Sequence, residues 1–211
     1  MGRERALRRG LRLELATIAY NLLEGAVSIG AGFAAGSVSL IGFGIDSAIE
    51  TTSGAAVLWR LSRDESARRE RTEFATRRII GWCFIALALY VAWEAAESIL
   101  ARKAPARSFA GIAICAVSVL IMPWLAAAKR RVAAELESGA VRADARQTDF
   151  CFYLSVIVLA GLTLNALFGW WWADPAAAMF IVPIIAKEGY NGILGKSCNG
   201  ACGCSARGAG I

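Results

Sequence analysis

Long apolar runs separated by short charged or Gly-rich breaks dominate the pattern of this 211-residue chain. The runs cover about residues 13–33, 40–61, 79–100 and 110–128, a fifth ends near residue 167, and a sixth covers 176–194. Each approaches the roughly 20 residues that an α-helix needs to cross a hydrocarbon core of about 30 Å. Residues 34–39, AAGSVS, turn the chain between the first two runs, and residues 60–78, with seven arginines, read as a solvated loop. Residues 101–107, ARKAPAR, break on Pro105, and Pro123 falls near the end of the fourth run. Residues 129–146, KRRVAAELESGAVRADAR, form a polar connector that begins a long fifth helix before the bilayer. The FGWWWADP turn at 168–175 leads to the sixth run, and its tryptophans suit an aromatic belt at headgroup depth. The predicted fold class is all-α, a six-helix transmembrane bundle over residues 13–194. It is preceded by a basic cytoplasmic segment, 1–12, and followed by a short Cys-containing tail, 195–211, too Gly-rich and too short for a cytoplasmic C-terminal domain.

Charge supports this reading and sets an orientation. With six spans, twenty Lys and Arg fall on one side (residues 3–12, 60–78, 129–146 and 187 onward) and three on the other, Arg102, Lys103 and Arg107. That positive-inside bias places both termini in the cytoplasm and accounts for the net charge of +6 without nucleic acid, for which no motif is present. The composition agrees, with 57% hydrophobic residues, 19% charged residues and a mean hydropathy of +0.50. No small-residue cleavage site follows the basic N-terminus, so no cleaved signal peptide is expected. The expected setting is a bacterial inner membrane crossed several times.

Within the second run, GFGIDSAIE (residues 42–50) puts Asp46 and Glu50 four residues apart in apolar surroundings. On a helix both lie on one face, one turn apart, so a single cation reaches both. Ionised carboxylates at the bilayer centre cost roughly 2.5–3.5 kcal/mol each on insertion scales and mark a buried partner, a water-filled cavity or an ion pathway. The fifth helix offers Asp144, Gln147, Asp149 and Cys151, and Gln147 and Cys151 repeat the four-residue spacing. If the two helices face one another, two carboxylates, an amide oxygen and a thiolate make a mixed set suited to a divalent ion. Taken alone, Gln147 reads as an interhelical hydrogen-bond partner and Cys151 as a small buried apolar group, and the metal reading rests on their facing Asp46 and Glu50. Glu24, with Asn21, is a candidate for the entry path, whereas Glu94 and Glu97 read as interhelical hydrogen-bonding or snorkelling groups. Cys198, Cys202 and Cys204 suit a soft-metal capture arm in a reducing compartment, or equally a disordered tail of redox-sensitive cysteines. Histidine is absent, which removes the commonest transition-metal ligand.

These motifs together resemble the transmembrane domain of the cation diffusion facilitator, or cation efflux, family. The resemblance rests on the GS-x-S-L turn at residues 36–40 followed by Asp46 and Glu50, the V-R-A-D-A lead at 141–145 followed by Gln147 and Cys151, the WWWADP turn, and YVAWEAAESI at the end of the third helix. It implies metal ligands at Asp46, Glu50, Gln147 and Cys151, while Glu24, Asp149, Cys198, Cys202 and Cys204 stand on their own chemistry as secondary metal or path residues. It also implies a homodimer. The family's fifth-helix pair is His and Asp, and Gln147 and Cys151 stand at the matching positions, with Asp149 as a compensating acid or an ion relay.

The expected function is efflux of a divalent transition metal, Zn²⁺ or a similar heavy-metal ion, from the cytoplasm, driven by proton exchange. Its partners are lipid, metal ions, protons and a second copy of the chain, and no tightly bound cofactor is expected. A membrane sensor or accessory protein that binds metal without moving it is the alternative. An enzyme is not expected, because no nucleophile–base pair or cofactor loop appears.

Overall fold

The computed structural model describes residues 2–62, 69–102 and 105–194. Six α-helices account for them: α1 Gly2–Ala35, α2 Val38–Ser62, α3 Arg69–Leu100, α4 Phe109–Glu135, α5 Gly139–Phe168 and α6 Ala173–Ile193, with no strand among the described residues. The helices outrun the apolar segments. α1 takes in residues 2–12, α3 begins at Arg69 inside the stretch expected to be a loop, and only residues 136–138 separate α4 from α5. Arg, Glu and Ala are strong helix formers, so a helix continues beyond the lipid-length apolar run. Among the described residues, Glu4–Ala35, Phe109–Glu135 and Val141–Phe168 are long and apolar enough to cross a membrane by length and composition.

Local signals set the helix ends. Ser108 caps α4 by accepting from the Gly111 N–H at 3.1 Å, and Ser138 caps α5 by accepting from the Val141 N–H at 3.5 Å. Gly169 ends α5 in the left-handed conformation, φ 65°, and donates to the Asn165 carbonyl.

α1 packs against α2, α4 against α5 and α3 against α6. Contacts of α1 with α4 and of α2 with α5 close the first two pairs into a four-helix body, and the α3–α6 pair joins it through α2 and α5. Small residues allow the tightest approaches, as in other membrane helix pairs. A Cβ added to Gly44 of α2 would lie 2.9 Å from the Ile29 backbone nitrogen and 3.1 Å from the Gly25 carbonyl oxygen. Apolar side chains on the outer faces, among them Leu89, Trp93, Leu120, Trp124 and Phe180, are more than half exposed, as suits contact with lipid.

Asp174, at the start of α6, ties two turns together. Its Oδ1 accepts from Ser37 Oγ at 2.6 Å and from Ser39 Oγ, and its Oδ2 accepts from the Val38 N–H at 3.0 Å, so a carboxylate of α6 caps the N-terminus of α2. Asp174, Ser37 and Val38 are all buried. Asp174→Ala leaves three buried donors without an acceptor and is expected to cost about 3 kcal/mol. Thermal unfolding of the detergent-solubilised protein checks this, and a midpoint equal to that of the unmutated protein would contradict it.

Candidate cation site

The apolar interior of the four-helix body encloses a compact group of acids. Asp46 and Glu50 of α2 are each 1% exposed, and Glu24 of α1 and Cys151 of α5 are fully buried. They meet because each helix turns one polar stripe inward: residues 43, 46, 47 and 50 of α2 are buried, as are residues 21, 24, 25 and 28 of α1 and residues 148, 151, 154 and 155 of α5.

Hydroxyl groups dress the carboxylates. Glu50 Oε1 accepts from Thr148 Oγ1 at 2.7 Å. Glu24 Oε2 accepts from Ser47 Oγ at 2.8 Å and from the Cys151 thiol at 3.7 Å, and its Oε1 accepts from Ser118 Oγ of α4. With the Ser118 proton directed to Glu24, Tyr20 donates to Ser118 across 2.6 Å. This leaves a telling set of buried atoms without partners: Asp46 Oδ1, Glu50 Oε2, Gln147 Nε2 and both polar atoms of the Asn21 amide. Buried polar groups are normally satisfied, and unpaired atoms inside a bundle point to water or an ion beside them. Among the described residues, no three Cys, Asp or Glu side chains converge as a ready-made metal cluster. Glu24 and Glu50 are engaged by hydroxyls.

The residues singled out in the sequence divide as follows. Asp46, Glu50, Glu24 and Cys151 come together in the core, each of the other three acting electrostatically on Cys151. Gln147 lies one turn from Cys151 with its amide nitrogen buried and unpartnered. Asp149 is turned away by its two-residue offset and accepts from Arg130 with both oxygens at 2.6 Å on a partly exposed surface. Cys198, Cys202 and Cys204 lie outside the described residues.

Several participants were not read from the sequence. Thr148, Ser47 and Ser118 supply the hydroxyl donors, and Glu188 of α6 lies within electrostatic reach of Asp46. Lys129, expected among the solvated charges of the polar connector, is instead 1% exposed, because α4 runs on to Glu135 and carries it into the interior. It pairs with Glu14 at 3.3 Å and with Asp144, both equally buried. Helix phase held the signal: 111, 115, 118, 122, 125, 129 and 132 share one buried face of α4.

The family model of the cation efflux transmembrane domain matches residues 15–194. The chain is similar to an uncharacterized transporter of Synechocystis sp., 24% identical over 160 residues that make up 72% of this chain and 52% of that protein. It thus spans about half the length of that relative. Six helices in the expected order, a core that gathers acids from α1 and α2 against α5, and a match running through all six helices lead to one conclusion: the chain belongs to the cation efflux family, in which it supplies the transmembrane domain.

Proposed function

We propose that this protein exports a divalent transition-metal cation, Zn²⁺ or a similar heavy-metal ion, from the cytoplasm in exchange for protons. The observation that carries this reading is the pair of unpartnered, buried carboxylate oxygens on Asp46 and Glu50, set beside Glu24 and Cys151 in an apolar bundle. The ion is the substrate. Asp46, Glu50 and Cys151 would hold it, with the side-chain amide of Gln147, and with the Glu24 carboxylate once its hydroxyl partners are released, completing the set. Two carboxylates neutralise a divalent charge, and a thiolate adds preference for a soft ion. The bias of Lys and Arg supports a cytoplasmic location for both termini, and a homodimer follows the family pattern.

Proton exchange follows from ligand chemistry, since carboxylates and thiols bind metal in their deprotonated forms and each proton taken up weakens the site. Affinity for the ion is therefore expected to rise with pH. Proteoliposomes containing the purified protein, assayed over Zn²⁺, Cd²⁺ and Mn²⁺ with an internal pH indicator, test the proposal. Metal flux with opposing proton flux is expected, and metal binding without flux would leave a sensor in its place.

Cys151 sets the expected selectivity. In a chain truncated after Lys196, which removes the tail thiols, Cys151→Ala should weaken Cd²⁺ and Zn²⁺ transport relative to Mn²⁺ by about tenfold, and Cys151→Asp should keep transport while losing the Cd²⁺ preference. An unchanged Cd²⁺-to-Mn²⁺ ratio in the Ala variant would reduce Cys151 to a packing residue.

A further inference from the structure

A buried ion triad lies beside the central group. Lys129 Nζ of α4 lies 3.3 Å from Glu14 Oε2 of α1 and donates to Asp144 Oδ2 of α5, and Ser53 of α2 donates to Asp144 Oδ1 at 3.4 Å. All four helices of the body thus contribute a residue to one cluster, in which Glu14 and Asp144 meet the ammonium and Ser53 supports Asp144. Glu14 precedes Glu24 by ten residues, so the triad lies about 15 Å along α1 from the central acids, toward the cytoplasm in the proposed topology.

The interval between them is polar. Glu14, Thr17, Asn21, Glu24 and Ser28 follow one another at spacings of three and four residues, and each is at most 1% exposed. A bundle helix ordinarily places apolar side chains in that seam. Here Glu14 Oε2, both polar atoms of Asn21 and Ser28 Oγ have no hydrogen-bond partner, although the first is ion-paired. Asn21, midway between Glu14 and Glu24, is costly to bury unpaired unless water or an ion visits it. The triad also communicates with the central site: the charges of Lys129 and Asp144 both act on Glu50, and Thr148, one turn from Asp144, donates to Glu50.

Two carboxylates facing one another around a bound cation are a cation acceptor, and the present occupant is the protein's own ammonium. We propose that Glu14 and Asp144 form a second, cytoplasmic-side site for a divalent cation, at which Lys129 is a tethered competitor displaced as the ion moves along α1 toward Glu24 and Glu50. The assignment of the occupant as transported metal rests on the transport reading above. The ammonium offsets one of the two carboxylate charges when no metal is present, and an entering divalent ion, carrying twice the charge, offsets both and replaces it.

Equilibrium Zn²⁺ binding to the purified full chain, with Cys198, Cys202 and Cys204 replaced by Ser so that the tail thiols take no metal, separates this site from the central one. Asp46→Asn with Glu50→Gln removes the central site, and that variant with Lys129 intact should bind Zn²⁺ only weakly. Adding Lys129→Met should create binding of one Zn²⁺ per chain, and further addition of Glu14→Gln should abolish it. A monodisperse, helical Lys129→Met variant that binds no Zn²⁺ in this background, or that keeps its Zn²⁺ after Glu14→Gln, overturns the proposal. If the Lys129→Met chain does not fold, the unmutated protein decides: Zn²⁺ should raise acetylation of Lys129 by an amine-reactive ester several-fold, and labelling indifferent to Zn²⁺ overturns the proposal. Zn²⁺ binding unaffected by Asp46→Asn with Glu50→Gln counts against the central site alone, while the Lys129 results still decide the second site.

Discussion

Glu50→Gln, and separately Asp46→Asn, should reduce metal binding and transport by roughly 100-fold or more while leaving membrane insertion intact. Loss of an outer-shell partner at a metal site costs 10- to 100-fold, and these substitutions remove a charged ligand outright. Shape is almost unchanged. The amide oxygen of the Glu50→Gln variant still accepts from Thr148, which donates to Glu50 Oε1 at 2.7 Å. Insertion should, if anything, improve, because each replaced acid had been placed in an apolar interior at a cost of roughly 2.5–3.5 kcal/mol on insertion scales. Radiolabelled or dye-reported uptake into proteoliposomes, normalised to reconstituted protein, provides the measurement. Rates equal to those of the unmutated protein for both variants would remove Asp46 and Glu50 from the site.

A second large effect is expected at the crossing of α1 and α2. Gly44→Val places two methyl groups beyond a Cβ that would already stand 2.9 Å from the Ile29 nitrogen and 3.1 Å from the Gly25 carbonyl oxygen. Main-chain atoms cannot rotate away as a side chain would, so the helices must separate. Overpacking of this kind costs about 3 kcal/mol, and Asp46 lies only two residues along the displaced helix. The variant should show a lower unfolding midpoint, a larger aggregated fraction on size exclusion and weaker metal binding. Gly30→Val supplies the control, because nothing lies within 4 Å of a Cβ there. Equal behaviour of the two variants would show that close approach at Gly44 is not needed.

Hydrophobic periodicity and charge bias made the six helices and their order legible, because lipid demands a continuous apolar run and leaves charge at its ends. Asp46 and Glu50 stood out for the same reason, as acids where lipid-like residues were expected. The limits of each helix did not stand out, since Arg69 and Glu135 are helical residues beyond any apolar boundary. The GSVS turn and the WADP turn were each visible as motifs, but their meeting at Asp174 joins residues 135 to 137 positions apart and needs the fold. Lys129 was hidden by its company. In KRRVAAE it reads as the first of three solvated cations, and only the phase of α4 separates it from Arg130. The hydroxyls of Ser47, Ser118 and Thr148 carried no signal of their own, because serine and threonine also occur in transmembrane helices as plain backbone-bonded residues.

The polar seam of α1 also bears on how the chain is made. Synthesis delivers α1 to the membrane first, yet the partners of Glu14 and Glu24 are Ser47, Ser118, Lys129 and Cys151, the last of them 127 residues behind Glu24. Until α4 has emerged, the seam has only the first of these contacts, from α2, to shield it. α1 and α2 are therefore expected to enter the bilayer together as a hairpin, and to stay close to the insertion machinery or to water until α4 and α5 arrive. A nascent chain arrested before α4 would carry Glu14 and Glu50 into lipid without their partners Lys129 and Thr148, a natural mark for membrane quality control.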